Sequence, residues 1–173
     1  MIYTNPLFGF FRTMILFISG RVHFKKTDVG ATIVMSDGIE FKIFRSVTIK
    51  KFINKDKKPN GLFIVRFTPT MDIGKNINLS KILMLVFMGF KGFRSKFWCV
   101  NEKSGMCQGV YEWDTLEDAE HYSKSIAVKN MTKRSKPGTV AYNVLDNIES
   151  NRSWEIIDSG KEQKIQFRLK YNL

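Results

Sequence analysis

The sequence predicts an α+β fold in the order β-α-β-β-α-β, on three observations. A short apolar run, Leu62 to Phe67, follows the chain-reversing Pro59-Asn60-Gly61. Two β-rich runs, Phe97 to Val100 and Gly109 to Trp113, meet at the polar turn Asn101-Glu102-Lys103-Ser104-Gly105, where Gly105 can take a positive φ. Two helical patterns separate these strands from one another and from a last β-rich run, Thr139 to Leu145.

Each element has its own warrant. Pro6 to Ser19 (PLFGFFRTMILFIS) is strongly apolar, and reads either as a helix or strand closing the core or as a surface for a partner subunit or lipid. It is shorter than the roughly 20 residues of a membrane span and carries Arg12 at its middle, so no transmembrane segment is expected. It also lacks a basic leader and a small-residue cleavage motif, and a soluble, cytoplasmic protein is the expectation. Arg21 to Phe24 and Ala31 to Met35 read as strands, and Ser36-Asp37-Gly38 as a hairpin turn. Ile39 to Phe52 alternates as a long strand. Ile39, Phe41 and Ile43, then Val47 and Ile49, mark its core side, and the change of phase near Phe44-Arg45 predicts a bulge. This hairpin is expected to form a sheet of its own, and the connector Lys55 to Gly61 to mark a boundary.

Beyond the connector, Asn78 or Ser80 can cap a helix running to Met88 that is apolar nearly all round, so it requires cover on both sides. Asp114 precedes the second helix with Glu117 three residues on, a capping-box pattern, and Leu116 to about Asn130 continues it. That order of elements is the ferredoxin-like unit. Trp154 to Ile157, a turn around Ser159-Gly160, and the alternating Lys164 to Tyr171 form a C-terminal hairpin. The expected organisation is an N-terminal extension over 1–60, the α+β domain over 61–146 and the C-terminal extension over 147–173.

Composition narrows the chemistry. The 173 residues are 43% hydrophobic with 15 Phe, enough for a sizeable core. Lys and Arg number 28 against 16 Asp and Glu, a formal charge of +12 that favours anionic partners of any kind. Cys99 and Cys107 flank the hairpin turn and are expected as reduced thiols. With two histidines and no Cys/His spacing typical of zinc, no metal site is expected. No Gly-rich phosphate loop, G-x-S-x-G elbow or H-E-x-x-H motif occurs.

The stretch from Gly92 to Tyr122 resembles the dimeric α+β-barrel superfamily, nearest its mono-oxygenase-like branch. The matching positions are Gly92, Phe93, Lys96, Trp98, Gly109, Tyr111, Trp113, Asp114, Ala119 and Tyr122, with Gln108 in place of the first Gly of a pair. The resemblance covers about residues 61–146. It implies a homodimer in which two four-stranded sheets pair, and a hydrophobic cavity between each sheet and its helices. It further implies a small apolar or aromatic ligand and oxygenation without a cofactor: an electron-rich substrate is deprotonated and its carbanion meets O₂. The residues this designates are Trp98, His121 and Tyr122 as catalytic candidates, and Arg66, Phe87, Tyr111 and Trp113 as ligand-binding ones. The haem-degrading branch is matched in its acidic-capped helix but has Trp where Tyr122 stands, and a His where this chain has Met131-Thr132.

Two other classes fit parts of the pattern. One is a non-catalytic binding or structural dimer. The other is nucleic-acid binding: Leu62 to Phe67 and Lys91 to Phe97 resemble the two short motifs of the RNA-recognition motif, and the net charge suits it. There, however, the second motif lies on the third strand, whereas here it precedes the second.

Overall fold

A computed structural model of the chain describes residues 5–51, 58–146, 152–158 and 163–169. The predicted turn at Ser159-Gly160, the strand end at Tyr171, Phe52 and the start of the connector at Lys55 lie outside the described residues. Nine strands form one sheet: β1 (Val22–Phe24), β2 (Thr32–Met35), β3 (Glu40–Ile49), β4 (Gly61–Phe67), β5 (Phe93–Val100), β6 (Cys107–Trp113), β7 (Ala141–Asp146), β8 (Arg152–Asp158) and β9 (Gln163–Leu169). They run in the order β7-β4-β6-β5-β3-β2-β9-β8, with β1 also on β3. Within it, β7-β4-β6-β5 are antiparallel neighbours and, with the helices between them, make the ferredoxin-like unit.

The N-terminal hairpin does not form a sheet of its own. β3 pairs antiparallel with β5 over Lys42 to Thr48, and β9 then adds to β2 in parallel. The bulge that the sequence signals lies within this pairing, where the register shifts between Ile43 and Arg45. Phe41 and Ile43 therefore face one side of the sheet, while Phe44, Val47 and Ile49 join the core on the other.

Both faces of the central strands are buried. One is covered by helices. The other is covered by the chain itself, because the sheet curls until Ala31, Ile33 and Met35 of the hairpin pack with Leu62, Ile64, Phe97 and Val110. Polar contacts fasten this closure: Arg66 Nη1 lies 2.6 Å from Asp37 Oδ2 in the hairpin turn, and Gln108 Nε2 lies 3.3 Å from Met35 Sδ.

The helices are α1 (Pro6–Ile18), α2 (Ile73–Phe87), α3 (Leu116–Ser123) and α4 (Ile126–Lys133). α2 begins earlier than the sequence suggests, because Asp72 Oδ1 accepts from the Gly74 and Lys75 amides at 2.8 and 3.2 Å, ahead of Asn78 and Ser80. The second predicted helix is two. Thr115, not Asp114, caps α3, accepting from the Asp118 amide at 3.1 Å, and Ser125 restarts the chain as α4 by accepting from Val128. Asp114 instead forms ion pairs with Lys51 and Arg94. α1 covers one side of α2 through small residues: a Cβ at Gly9 would come within 2.5 Å of the Val86 carbonyl, and one at Gly89 would overlap the Gly9 carbonyl. Only glycine permits that approach.

Candidate functional site

A cavity of about 180 Å³ lies between the helical layer and the sheet. Strand alternation supplies its floor: Lys96 and Trp98 on β5, and Gly109 and Tyr111 on β6, project to the helix side. Phe87 of α2 and Tyr122 of α3, in edge contact with ring centres 6.4 Å apart, form its inner wall, and Met131 and Arg134 stand at the α4 side. The walls are chiefly aromatic. Tyr122 lies 5.0 Å from Tyr111 and 5.2 Å from Phe63, and Phe87 lies 5.7 Å from both Trp98 and Tyr111, in tilted or edge-on geometries that favour ring pairs.

One charged-type side chain is enclosed in this box. Lys96 Nζ stands 4.1 Å from the Tyr111 ring centre and 4.3 Å from those of Phe87 and Trp98, and 2.6 Å from the Tyr111 hydroxyl. Among the described residues no carboxylate pairs with it. Burial lowers its pKa well below the usual lysine range, and the Arg45 guanidinium nearby lowers it further. Arg45 itself lies 5.1 Å over the Trp98 ring, held by Ser80 Oγ at 2.8 Å and the Ile77 carbonyl at 3.3 Å. Burial and Arg45 thus favour the neutral amine, the form able to accept a proton, more than for an ordinary lysine.

The tyrosines complete a line of hydroxyls. Tyr111 and Tyr122 share a hydrogen bond, and burial raises both phenols above the ordinary tyrosine range, so both stay protonated. The order Tyr122, Tyr111, Lys96 can hold or pass a proton along the floor of the cavity. The Trp98 indole N–H is buried with no acceptor among the described residues, which leaves it a donor for a ligand.

The structure brings four sequence-designated residues together around this space: Trp98, Tyr111, Tyr122 and Phe87. Trp113 does not line it. It packs behind Tyr122 at 4.8 Å and against Phe93 at 5.4 Å, as part of the core. His121 is exposed on the outer side of α3. Arg66 projects to the opposite face of the sheet, over the Phe41 ring at 5.0 Å and against Asp37. Lys96 and Arg45 are the residues that sequence reasoning passed over. The signal for Lys96 was present: it lies two positions before Trp98, hence on the same face of the strand.

Arg66 has a structural part of its own. Burial raises the Asp37 pKa, but the hydrogen bond and charge of Arg66, with the Ile39 amide, outweigh this and hold it below the usual carboxylate value. A carboxylate lowered on folding stabilises above its unfolded pKa and loses that contribution as pH falls. Arg66→Ala should therefore cost about 1.5 kcal/mol at neutral pH and blunt the acid-side loss of stability, both read by urea denaturation, with ligand affinity in the cavity unchanged.

No family model matches the sequence, and no curated protein matches it. Among solved structures, the chain is similar to an uncharacterized ferredoxin-fold protein related to antibiotic biosynthesis monooxygenases from Listeria monocytogenes, at 14% identity over 63% of this chain and 64% of that one, TM-score 0.47. A heme-degrading enzyme from Listeria monocytogenes is 14% identical over 63% of this chain and 71% of its own, TM-score 0.49. A monooxygenase-like protein from Listeria innocua is 15% identical over 65% and 66%, TM-score 0.48. This chain therefore spans slightly less than two thirds of the first of these proteins, and the likeness is one of fold alone.

Proposed function

We propose that the chain binds a small, electron-rich aromatic molecule in the cavity and removes a proton from it, with Lys96 as the base. The observation that carries this reading is the Lys96 amine, enclosed by three aromatic rings with no carboxylate paired to it among the described residues. The cavity is smaller than the roughly 300–1,000 Å³ of sites for drug-sized ligands, which suits one or two fused rings. It does not suit a porphyrin, and neither His23 nor His121 lines it. The ligand hydroxyl or acidic C–H gives its proton to Lys96, and the new ammonium is stabilised by the faces of Phe87, Trp98 and Tyr111 instead of by a carboxylate. The ligand anion remains beside that ammonium.

Oxygenation of the mono-oxygenase type follows from such an anion with O₂ as the co-reactant. The carbanion adds O₂ to give a peroxide, the peroxide takes up a proton, and loss of water leaves a carbonyl on the former C–H₂ carbon. The substrate supplies all the electrons. Cys99 and Cys107 are free and sit on opposite faces of the hairpin, which is compatible with a reducing, cytoplasmic setting.

Titration with a series of naphthols and tetralones, followed by tryptophan fluorescence, tests this reading. The expected result is saturable binding whose affinity changes little with salt, together with O₂ uptake for the more acidic members. Binding of nucleic acid that falls steeply with salt, with no response to the aromatic series, would replace it with the nucleic-acid reading.

A further inference from the structure

We infer that α1 is a membrane-surface anchor that lies in the headgroup region of an anionic lipid bilayer. Its outward side is the observation. Leu7, Phe11, Ile15 and Ile18 are exposed at 72%, 65%, 60% and 88%, and Phe8, Phe10 and Phe17 are exposed as well. At about 3.6 residues per turn these seven fall on one continuous arc, opposite the small residues Gly9 and Thr13 that dock the helix onto α2. The helix thus buries its small side and presents its large apolar side, the reverse of an ordinary amphipathic helix.

The apolar surface continues beyond the helix. Phe24 of β1 packs beside Phe17 with ring centres 6.4 Å apart, and Ile82 on α2 is exposed at 66%. A patch of this kind marks an interaction site. No described element covers it.

Charge decides between the occupants. From Met1 to Thr27 the sequence has no acidic residue but has Arg12, Arg21, Lys25 and Lys26, and α2 has Lys75 and Lys81 with no acid. Arg12 borders the apolar arc, where a long side chain can reach up to phosphates while its stem stays in contact with lipid. A second copy laid on this patch would set these cations against their own kind. Anionic headgroups complement them, and acyl chains take the aromatic and aliphatic side chains. The helix has 13 residues, about 20 Å at 1.5 Å per residue, so it lies in the interface; among the described residues no helix is long and apolar enough to cross.

The test is co-sedimentation of the full chain with phosphatidylcholine vesicles, with and without roughly 30% phosphatidylglycerol. Binding should require the anionic lipid and weaken between about 0.1 and about 0.5 M salt. Phe11→Ser with Ile15→Ser should weaken it on the order of 100-fold, while circular dichroism and aromatic-ligand binding stay as in the parent chain. Phe11 and Ile15 line no part of the cavity, so failure here is separable from failure of the ligand reading. The inference is overturned by a parent chain that ignores anionic vesicles, by a double variant that binds as the parent does, or by a parent dimer in light scattering that the double substitution dissociates.

Discussion

Lys96→Met should abolish turnover of an aromatic substrate and, at the same time, make the protein more stable at neutral pH. Methionine keeps the length and apolar stem of the side chain but has no base, so the loss in rate should be about 10²- to 10⁴-fold, the range for a positioned proton acceptor. Affinity for a neutral ligand should change far less, since the rings remain. The gain in stability, about 1–3 kcal/mol, comes from removing a buried amine that no described carboxylate offsets. Its sign against pH is definite. The folded pKa lies below the ordinary lysine value of 10.5 because of burial and Arg45, so between the two values the unfolded chain binds more protons. Stability of the parent should rise with pH through the part of that window below about pH 9, and the variant should lack this rise. Above about pH 9 the opposite trend sets in for both proteins. Cys107 is pushed up to about 11, and Cys99, Tyr111 and Tyr122 are raised too, so the folded state holds protons that the unfolded state has lost. Urea denaturation across pH, beside O₂ uptake, reads both effects. A Lys96→Met protein that turns over within a few-fold of the parent would remove Lys96 from the chemistry, whatever its stability.

What the sequence discloses of this fold is what neighbouring residues decide among themselves. The turn at Ser36-Asp37-Gly38, the phase change near Phe44 and the run of strands and helices after Gly61 are all local, and the structure has them. The pairing of β3 with β5 and of β2 with β9 joins residues far apart in the chain, and no local signal specifies it. Arg66 illustrates a related difficulty. In Leu62 to Val65 every side chain is buried, because the sheet is covered on both faces, so alternation gives no clue to which side Arg66 takes. At the start of α3 two capping residues stand together, and Thr115 takes the cap while Asp114 is drawn into pairs with Lys51 and Arg94. Four aromatic members of the site, Phe87, Trp98, Tyr111 and Tyr122, were designated by the family resemblance and by no feature of the local pattern. Lys96 was visible only as a residue of the matched strand, since a lysine in a strand ordinarily faces water; its enclosure depends on α2 and α3 closing over it. Arg45 reaches the same region only because the bulge turns Phe44 and Arg45 to one side of the sheet.

Gly89→Ala should separate α1 from the body of the protein. The added methyl would overlap the Gly9 carbonyl and crowd Thr13 Oγ1, and a backbone atom of a packed helix cannot move aside as a side-chain tip can. Overpacking of this kind costs about 1–3 kcal/mol, and here the cost falls on the contact between α1 and α2. Thermal denaturation should show the loss, and hydrogen exchange should place it, with protection falling in Pro6–Ile18 while β4 to β6 keep theirs. Trimming Thr13 to Ala as well should not restore the packing, because the clash is with main chain. Thr13 Oγ1 is itself buried without a described partner, so its removal alone should cost little. Pro6 lies at the rim of the cavity, and loosening α1 should therefore weaken aromatic-ligand binding by a few-fold without removing the base. Vesicle binding should respond differently: the apolar arc is still carried by the helix, and freeing the helix from α2 leaves it available to lipid. A Gly89→Ala protein that loses vesicle binding together with α1 protection would show that the docked geometry of the arc, and not only its composition, is what the membrane recognises.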